Sequence, residues 1–172
     1  MVKIHSSECI FFIRKKILCM PKNLVYHPSF KVINTPQISS QNFNQDFGNG
    51  FYVYFVKEDA VRGARRYPKS ILNVYNLLID GNLDILEFKY LNEEYLDFIH
   101  SCRLGKTHTH DVVIGPMVNS QTYNLIADLE DGIITREQFF SLVKFKYPTY
   151  QICFASERSL RCLKFEYSEE VI

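Results

Sequence analysis

The order in which strand and helix patterns follow one another limits this chain more than any other feature of its sequence. Short segments rich in branched and aromatic residues predict strands, and longer segments with apolar residues at helical spacing predict helices. The predicted strands are residues 24–26, 50–55, 71–79, 83–88, 111–115, 150–154 and 163–167, and the predicted helices are residues 57–66, 91–102, 120–129, 136–144 and 156–163. Because strands and helices do not alternate regularly, we expect an α+β domain and not a doubly wound parallel sheet.

Three local signals refine this expectation. Segments 71–79 and 83–88 flank the turn sequence Asp80-Gly81-Asn82, which predicts a β-hairpin. Ser156 stands where the last helix begins and is a suitable N-cap, with Arg158 on the outer face of that helix. No G-x-G-x-x-G sequence follows a strand pattern, so a Rossmann-type nucleotide site is not expected.

Length and cysteine content point to one domain in a reducing compartment. The 172 residues are enough for a single sizeable core. We expect a domain over residues 20–172, preceded at residues 1–19 by an appendage or by an extension upstream of a true start at Met20. The five scattered cysteines form no C-x-x-C pair, which favours reduced thiols and a cytoplasmic location. No apolar stretch reaches the length of about 18 residues that a membrane span needs.

The charge balance and the scattered polar residues give few other functional signals. Lys and Arg number 20 against 19 Asp and Glu, so the net charge of +1 gives no electrostatic signal for nucleic acid. His108, His110 and Asp111 resemble a metal-binding cluster, but without further ligands nearby a polar loop is the favoured interpretation, and no metal is expected. His100 and Cys102 lie two residues apart on a predicted helix and so point in different directions.

Three short segments carry residues suited to a nucleotide site. They are Tyr26-His27-Pro28-Ser29, Asp46-Phe47-Gly48-Asn49-Gly50-Phe51-Tyr52 and Tyr150-Gln151-Ile152-Cys153-Phe154. In this order they resemble the His, Tyr and third polar motifs of the ADP-ribosyltransferase superfamily, in its poly-ADP-ribose-polymerase-like and diphtheria-toxin-like branch. Together with Asp111-Val112-Val113-Ile114-Gly115-Pro116, they are similar to family 3990 of bacterial domains of unknown function, which is placed in that superfamily.

The resemblance implies a split β-sheet sandwich with flanking helices, in which two sheets clasp NAD. His27 would bind a ribose hydroxyl of NAD, the alternative being a structural histidine at a strand end. Tyr52 would stack on the nicotinamide ring, the alternative being a core aromatic residue. The remaining residues that the resemblance implies at the cofactor are Pro28, Ser29, Asp46, Gly48, Gly50, Phe51 and Arg62.

This chain departs from the family pattern at three positions. Gln151 stands where a catalytic Glu is common, and a neutral amide can hold a ribose hydroxyl but cannot act as a base. Pro28 replaces a Gly and lacks the backbone N–H that could bind the nicotinamide amide. Gly63 replaces a large aromatic residue, for which Tyr54 or Tyr67 could compensate.

The function implied by the resemblance is that of an NAD-dependent mono-ADP-ribosyltransferase-like protein, with His27, Tyr52 and Gln151 as the catalytic candidates. Such bacterial proteins resemble toxins or effectors, so the expected partners are an unidentified macromolecular acceptor and an antitoxin protein. Two alternatives stay open. One is an NAD glycohydrolase, in which water replaces the acceptor, and the other is a catalytically degenerate protein that binds NAD or a partner.

Overall fold

The computed structural model describes residues 23–39, 45–79, 81–118, 120–143 and 149–171. The predicted appendage at residues 1–19 lies outside the described residues. The elements of the described part, in chain order, are β1 Leu24–Ser29, β2 Phe51–Tyr54, α1 Lys57–Ala64, β3 Ile71–Leu77, β4 Ile85–Glu87, α2 Glu93–Arg103, β5 Val112–Pro116, α3 Ser120–Glu130, α4 Arg136–Leu142, β6 Tyr150–Phe154, α5 Glu157–Leu160 and β7 Leu163–Glu170. The predicted α+β class is confirmed.

The strands form one seven-stranded open sheet in the order β4-β5-β6-β2-β1-β3-β7. Neighbouring strands run antiparallel except β4 and β5, which are parallel. The predicted final edge strand is confirmed as β7, which pairs with β3. Hydrogen bonding joins all seven strands, so the structure has a single open sheet where two clasping sheets were expected, and the specific ADP-ribosyltransferase fold stays a prediction.

The predicted hairpin of residues 71–79 and 83–88 is wrong. β3 pairs with β1 on one side and with β7 on the other, whereas β4 pairs with β5. The physical reason is that β3 is long and almost wholly buried, so both of its edges are satisfied by long partners. β4 has only three residues and could not replace either partner, despite the turn sequence between them.

The two faces of the sheet are covered by different parts of the chain. Along β5 and β6, alternate side chains point to opposite faces, as the pleat requires. One face packs against helices α2, α3 and α4 through Tyr95, Ile126 and Phe139. The other face is partly covered by the loop of residues 30–39, through Ile33 and Ile38.

The loop of residues 30–39 is held against β3 by side chains of the sheet. Asn73, which is fully buried, accepts a hydrogen bond from the Ile33 amide at 2.8 Å and donates one to the Lys31 carbonyl at 3.1 Å. The Tyr75 hydroxyl donates to the Ile33 carbonyl at 2.5 Å. Backbone groups of the loop therefore find partners in the core, and the loop has a defined position beside the end of β1.

Asp111 joins the start of β5 to α5. Its carboxylate accepts hydrogen bonds from the Ser156 hydroxyl at 2.6 Å and from Arg158 Nε at 2.5 Å. The Arg158 guanidinium holds the pKa of Asp111 at about 2, below its ordinary value of 3.8. Ser156 also caps α5 by accepting from the Ser159 amide, which confirms the predicted N-cap. Arg158 is largely exposed, as predicted, although its head group is bound to Asp111.

Candidate functional site

A cleft opens where β1 and β2 separate. These two strands align at one residue pair, Tyr26 with Tyr54, whereas β1 pairs with β3 over its whole length. Beyond that pair the strands diverge and leave a cleft of about 860 Å³, lined also by the loop of residues 30–39. Cavities of roughly 300–1,000 Å³ are typical of sites for small molecules and cofactors.

Seven of the ten predicted site residues line this cleft, although they come from three separate segments of the chain. They are His27, Pro28 and Ser29 of β1, Gly50, Phe51 and Tyr52 at the start of β2, and Gln151 of β6. Asp46, Gly48 and Arg62 do not line it. The structure thus brings the three catalytic candidates to one cleft and places Arg62 outside it.

His27 spans the gap between the two diverging strands. Its Nδ1 lies 2.6 Å from the Tyr52 carbonyl oxygen, and its ring stacks on Phe51 with 4.1 Å between the ring centroids. A carbonyl oxygen can only accept, so Nδ1 carries the proton. Burial lowers the pKa of His27 to about 4, so the imidazole is neutral at pH 7. Its Nε2 is then an acceptor, suited to bind a hydroxyl group of a ligand.

The Tyr52 hydroxyl has two hydrogen-bond partners, and Tyr52 is one of the residues that line the cleft. The hydroxyl donates to the Gly48 carbonyl at 2.7 Å and accepts from the Phe47 amide at 3.1 Å. The ring lies nearly parallel to that of Phe47. Burial raises the pKa of Tyr52. The hydroxyl is therefore unsuited to proton transfer near neutral pH, and the ring is the part of Tyr52 that can serve a ligand.

The two glycines before β2 have different physical roles. Gly48 has a φ of +72°, which is the left-handed region that favours glycine. Gly50 lies against β6, where a Cβ atom would come within 2.3 Å of Cys153 Sγ and 2.9 Å of the Phe154 carbonyl oxygen. The Gly48 turn and the close approach at Gly50 together fix the loop whose carbonyl holds the Tyr52 hydroxyl.

Gln151 belongs to a buried polar network. Its Nε2 donates to Asp46 Oδ2 at 2.8 Å, and Arg103 donates to Asp46 Oδ1 at 2.7 Å. Because a carboxylate can only accept, the amide of Gln151 must turn its nitrogen toward Asp46. The amide oxygen is then the acceptor end of Gln151, which is one of the residues that line the cleft. A carboxylate at position 151 would instead face that of Asp46, so the glutamine suits its surroundings.

Pro28 and Gly63, which look like two separate departures from the family pattern, form one contact. A Cβ atom on Gly63 would lie 3.2 Å from Pro28 Cγ and 3.5 Å from the guanidinium of Arg66. The proline ring and Arg66 thus occupy the space that a side chain at position 63 would need. Arg66 lines the cleft, together with Tyr54 and Tyr67, which were expected to compensate for the absent aromatic residue.

The cleft is positively charged. Among the described residues that line it, the charged side chains are Lys31 and Arg66, and none is an Asp or a Glu. Arg62, one turn earlier on α1, instead pairs with Asp59 and is mostly exposed. The lining therefore favours an anionic ligand over a cationic one.

Three other histidines bind partners that do not line the cleft. His108 bonds the Phe47 carbonyl, His110 pairs with Asp84 and His100 pairs with Glu130. In the described ranges, no group of three or more His, Cys, Asp or Glu side chains could hold a metal ion. Cys102, Cys153 and Cys162 are buried free thiols.

Sequence reasoning missed Arg103 and Lys31, and it left the part played by Arg66 open. Arg103 ends α2 at 57 residues from Asp46, and no local pattern connects them. Lys31 follows a strand in an irregular loop, where position alone does not reveal that the loop lines a cleft. Arg66 belongs to the basic run of Arg62, Arg65 and Arg66, for which the sequence allows either contact with NAD phosphates or, more often, a solvated helix face.

Within the part that the structure describes, no helix has both the length and the apolar character that crossing a membrane requires.

One comparison with known proteins finds a match over most of the chain. A search of curated proteins gives no match. The family model described as "Protein of unknown function (DUF3990)" matches residues 24–165, a range that contains every residue of the cleft described above. The chain therefore belongs to this family of proteins of unknown function.

Proposed function

We propose that the cleft binds NAD and that the chain is an NAD-dependent mono-ADP-ribosyltransferase. The observation that carries this proposal is that His27 and Gln151 line one cleft and each already has a donor nitrogen engaged, which leaves His27 Nε2 and the Gln151 amide oxygen as acceptors. Acceptors call for a ligand with hydroxyl donors, and a ribose supplies such hydroxyls. The Tyr52 ring adds a surface for a flat heterocycle, and the cations at the rim suit a diphosphate.

The chemistry that fits this lining is cleavage of the bond between the ribose and nicotinamide. That bond breaks with its electron pair going to the nicotinamide nitrogen, and the ribose develops oxocarbenium character. His27 and Gln151 would hold the ribose while the acceptor forms the new bond to it and releases its proton to solvent. Since no described cleft residue is a carboxylate, charge stabilisation at the ribose is weak. We therefore expect slow turnover and an acceptor that is a good nucleophile, on an unidentified macromolecule.

A second candidate function is NAD binding without turnover. It is favoured by the same absence of a carboxylate among the described lining residues. Among the described lining residues, His27 is a weak base because its pKa is lowered to about 4, and no carboxylate could activate water in its place, so an efficient NAD glycohydrolase is a weaker proposal. An antitoxin partner fits any of these functions and is part of the proposal only through the family resemblance.

The test is an assay with NAD labelled in its adenine half, incubated with the full chain and a bacterial extract. We expect release of nicotinamide and transfer of label to macromolecules. His27→Ala should lower the release rate about 10-fold, because it removes an acceptor and the link to Tyr52. His100→Ala is the matched control, since this exposed histidine pairs with Glu130 and does not line the cleft.

The outcomes separate the candidates. Label found only as free ADP-ribose would indicate a glycohydrolase, and NAD binding without nicotinamide release would indicate the binding protein. Equal rates for His27→Ala and His100→Ala would mean that the reaction occurs somewhere other than this cleft.

A further inference from the structure

Two cations line the cleft although they lie far apart in the sequence. Lys31 belongs to the loop that follows β1, and Arg66 follows α1. Their neighbours Phe30 and Tyr67 are in contact, with 6.2 Å between ring centroids. This contact ties the loop to the end of α1, and both cations line the cleft.

Arg66 is turned toward the cleft by its own helix. Its Nε donates to the Gly63 carbonyl at 2.9 Å, which folds the side chain back over Gly63. A Cβ atom at position 63 would lie 3.5 Å from one guanidinium nitrogen and 3.2 Å from the Pro28 ring. A larger side chain at position 63 would therefore displace Arg66 or Pro28. The glycine keeps this space open, although glycine is a poor helix former.

Arg66 also differs in its partners from four other arginines of the described chain. Arg62, Arg103, Arg136 and Arg158 each pair with an Asp or a Glu. In the described part of the chain, neither Arg66 nor Lys31 forms such an ion pair, and no carboxylate lines the cleft beside them. Both charges are thus available to an anionic group of a ligand.

We propose that Lys31 and Arg66 form a diphosphate-binding subsite at the rim of the cleft, and that Gly63 provides the room that Arg66 needs. This inference rests on the proposed NAD function. It assigns a site to the diphosphate of NAD, which His27 and Gln151 are not proposed to bind. Arginine offers a planar fork that binds phosphate oxygens in pairs, and lysine adds a mobile point charge. His27 and Gln151 would then select the ribose, whereas Lys31 and Arg66 would select the diphosphate.

The test compares Arg66→Ala with Arg65→Ala by calorimetry. Arg65 is the adjacent exposed arginine and does not line the cleft, so it is the matched control. We expect Arg66→Ala to weaken NAD binding about 10- to 100-fold, the loss typical of a charge-assisted hydrogen bond. Nicotinamide riboside, which lacks phosphate, should bind both variants equally. Equal NAD affinity for the two variants would overturn the proposal.

A second variant tests the role of Gly63. Gly63→Leu retains both cations but fills the space beneath Arg66, so we expect a loss of NAD affinity similar to that of Arg66→Ala. Thermal unfolding of the same samples checks that the variant is folded. A folded Gly63→Leu chain with unchanged NAD affinity would overturn the role of Gly63.

Titration with inorganic pyrophosphate separates this inference from the proposed function. If the chain binds pyrophosphate in an Arg66-dependent manner but does not bind NAD, the anion subsite stands and the NAD proposal fails. If NAD binds with full affinity to Arg66→Ala, the NAD proposal stands and the subsite is overturned. If neither ligand binds, both are overturned.

Discussion

Asp46→Ala is expected to lower the free energy of unfolding by about 3–5 kcal/mol, the range measured when one partner of a buried ion pair is removed. The side chains of Asp46 and Arg103 are only 10% and 11% exposed. Without Asp46, the Arg103 charge would be left with the Tyr123 ring, which lies 4.6 Å from it, and Gln151 would lose the acceptor of its amide. Chemical denaturation monitored by circular dichroism measures this change.

Two control variants separate charge from packing at this position. Asp46→Asn retains the size and one acceptor, so a smaller loss is expected. The double variant Asp46→Ala, Arg103→Met removes both buried charges and should recover part of the stability. If the double variant lost as much free energy of unfolding as the two single variants lose together, the two side chains would not be energetically coupled.

Gly50→Ala is expected to destabilise the chain by about 3 kcal/mol, a typical upper value for overpacking a core. The added methyl group would come within 2.3 Å of Cys153 Sγ and 2.9 Å of the Phe154 carbonyl oxygen. Cys153 is fully buried, and β2 pairs with β6 along this stretch, so neither neighbour can move freely. A lower melting temperature in a thermal unfolding experiment is the expected readout.

The controls for this prediction use the same chemical change elsewhere. Gly81→Ala adds a methyl group where no atom lies within 4 Å, and it should leave the melting temperature unchanged. Cys153→Ala in the Gly50→Ala background removes the closer clash and should restore part of the loss. A Gly50→Ala chain as stable as Gly81→Ala would contradict the close strand approach described here.

The sequence was informative where the signal is local. Residues 150–154 combine aromatic and branched residues as a strand should, and β6 has these bounds. The helix patterns near residues 57–66 and 91–102 correspond to α1 and α2, with ends that differ by one or two residues. His27, Tyr52 and Gln151, proposed from motif order, lie at one cleft.

Long-range pairing was harder to foresee. The turn sequence after β3 predicts a hairpin, but turn chemistry decides strand pairing only when longer partners do not compete, and here β1 and β7 do. Contacts between polar groups of distant segments were equally hard to foresee. Arg103 with Asp46 and Asn73 with the loop of residues 30–39 are contacts between distant segments, which periodicity and spacing do not reveal.

The departures at Pro28 and Gly63 show how structure changes the interpretation of single residues. Considered separately, each suggests a degraded cofactor pocket. In the structure they contact each other and leave space for Arg66 at the cleft. The two departures from the family pattern thus belong to one altered packing arrangement. This arrangement is compatible with a ligand site of changed specificity.

NAD binding in the cleft is tested most directly by calorimetric titration of NAD into the full chain, beside Tyr52→Ala and Tyr52→Phe. Loss of a stacking ring costs about 1–3 kcal/mol, so Tyr52→Ala should bind NAD about 10- to 100-fold more weakly. Tyr52→Phe keeps the ring and should bind NAD nearly as the parent chain does, although it loses the hydrogen bonds to Phe47 and Gly48 and melts earlier. Absence of binding at millimolar NAD, or equal NAD affinity in all three chains, would contradict NAD binding on the Tyr52 ring.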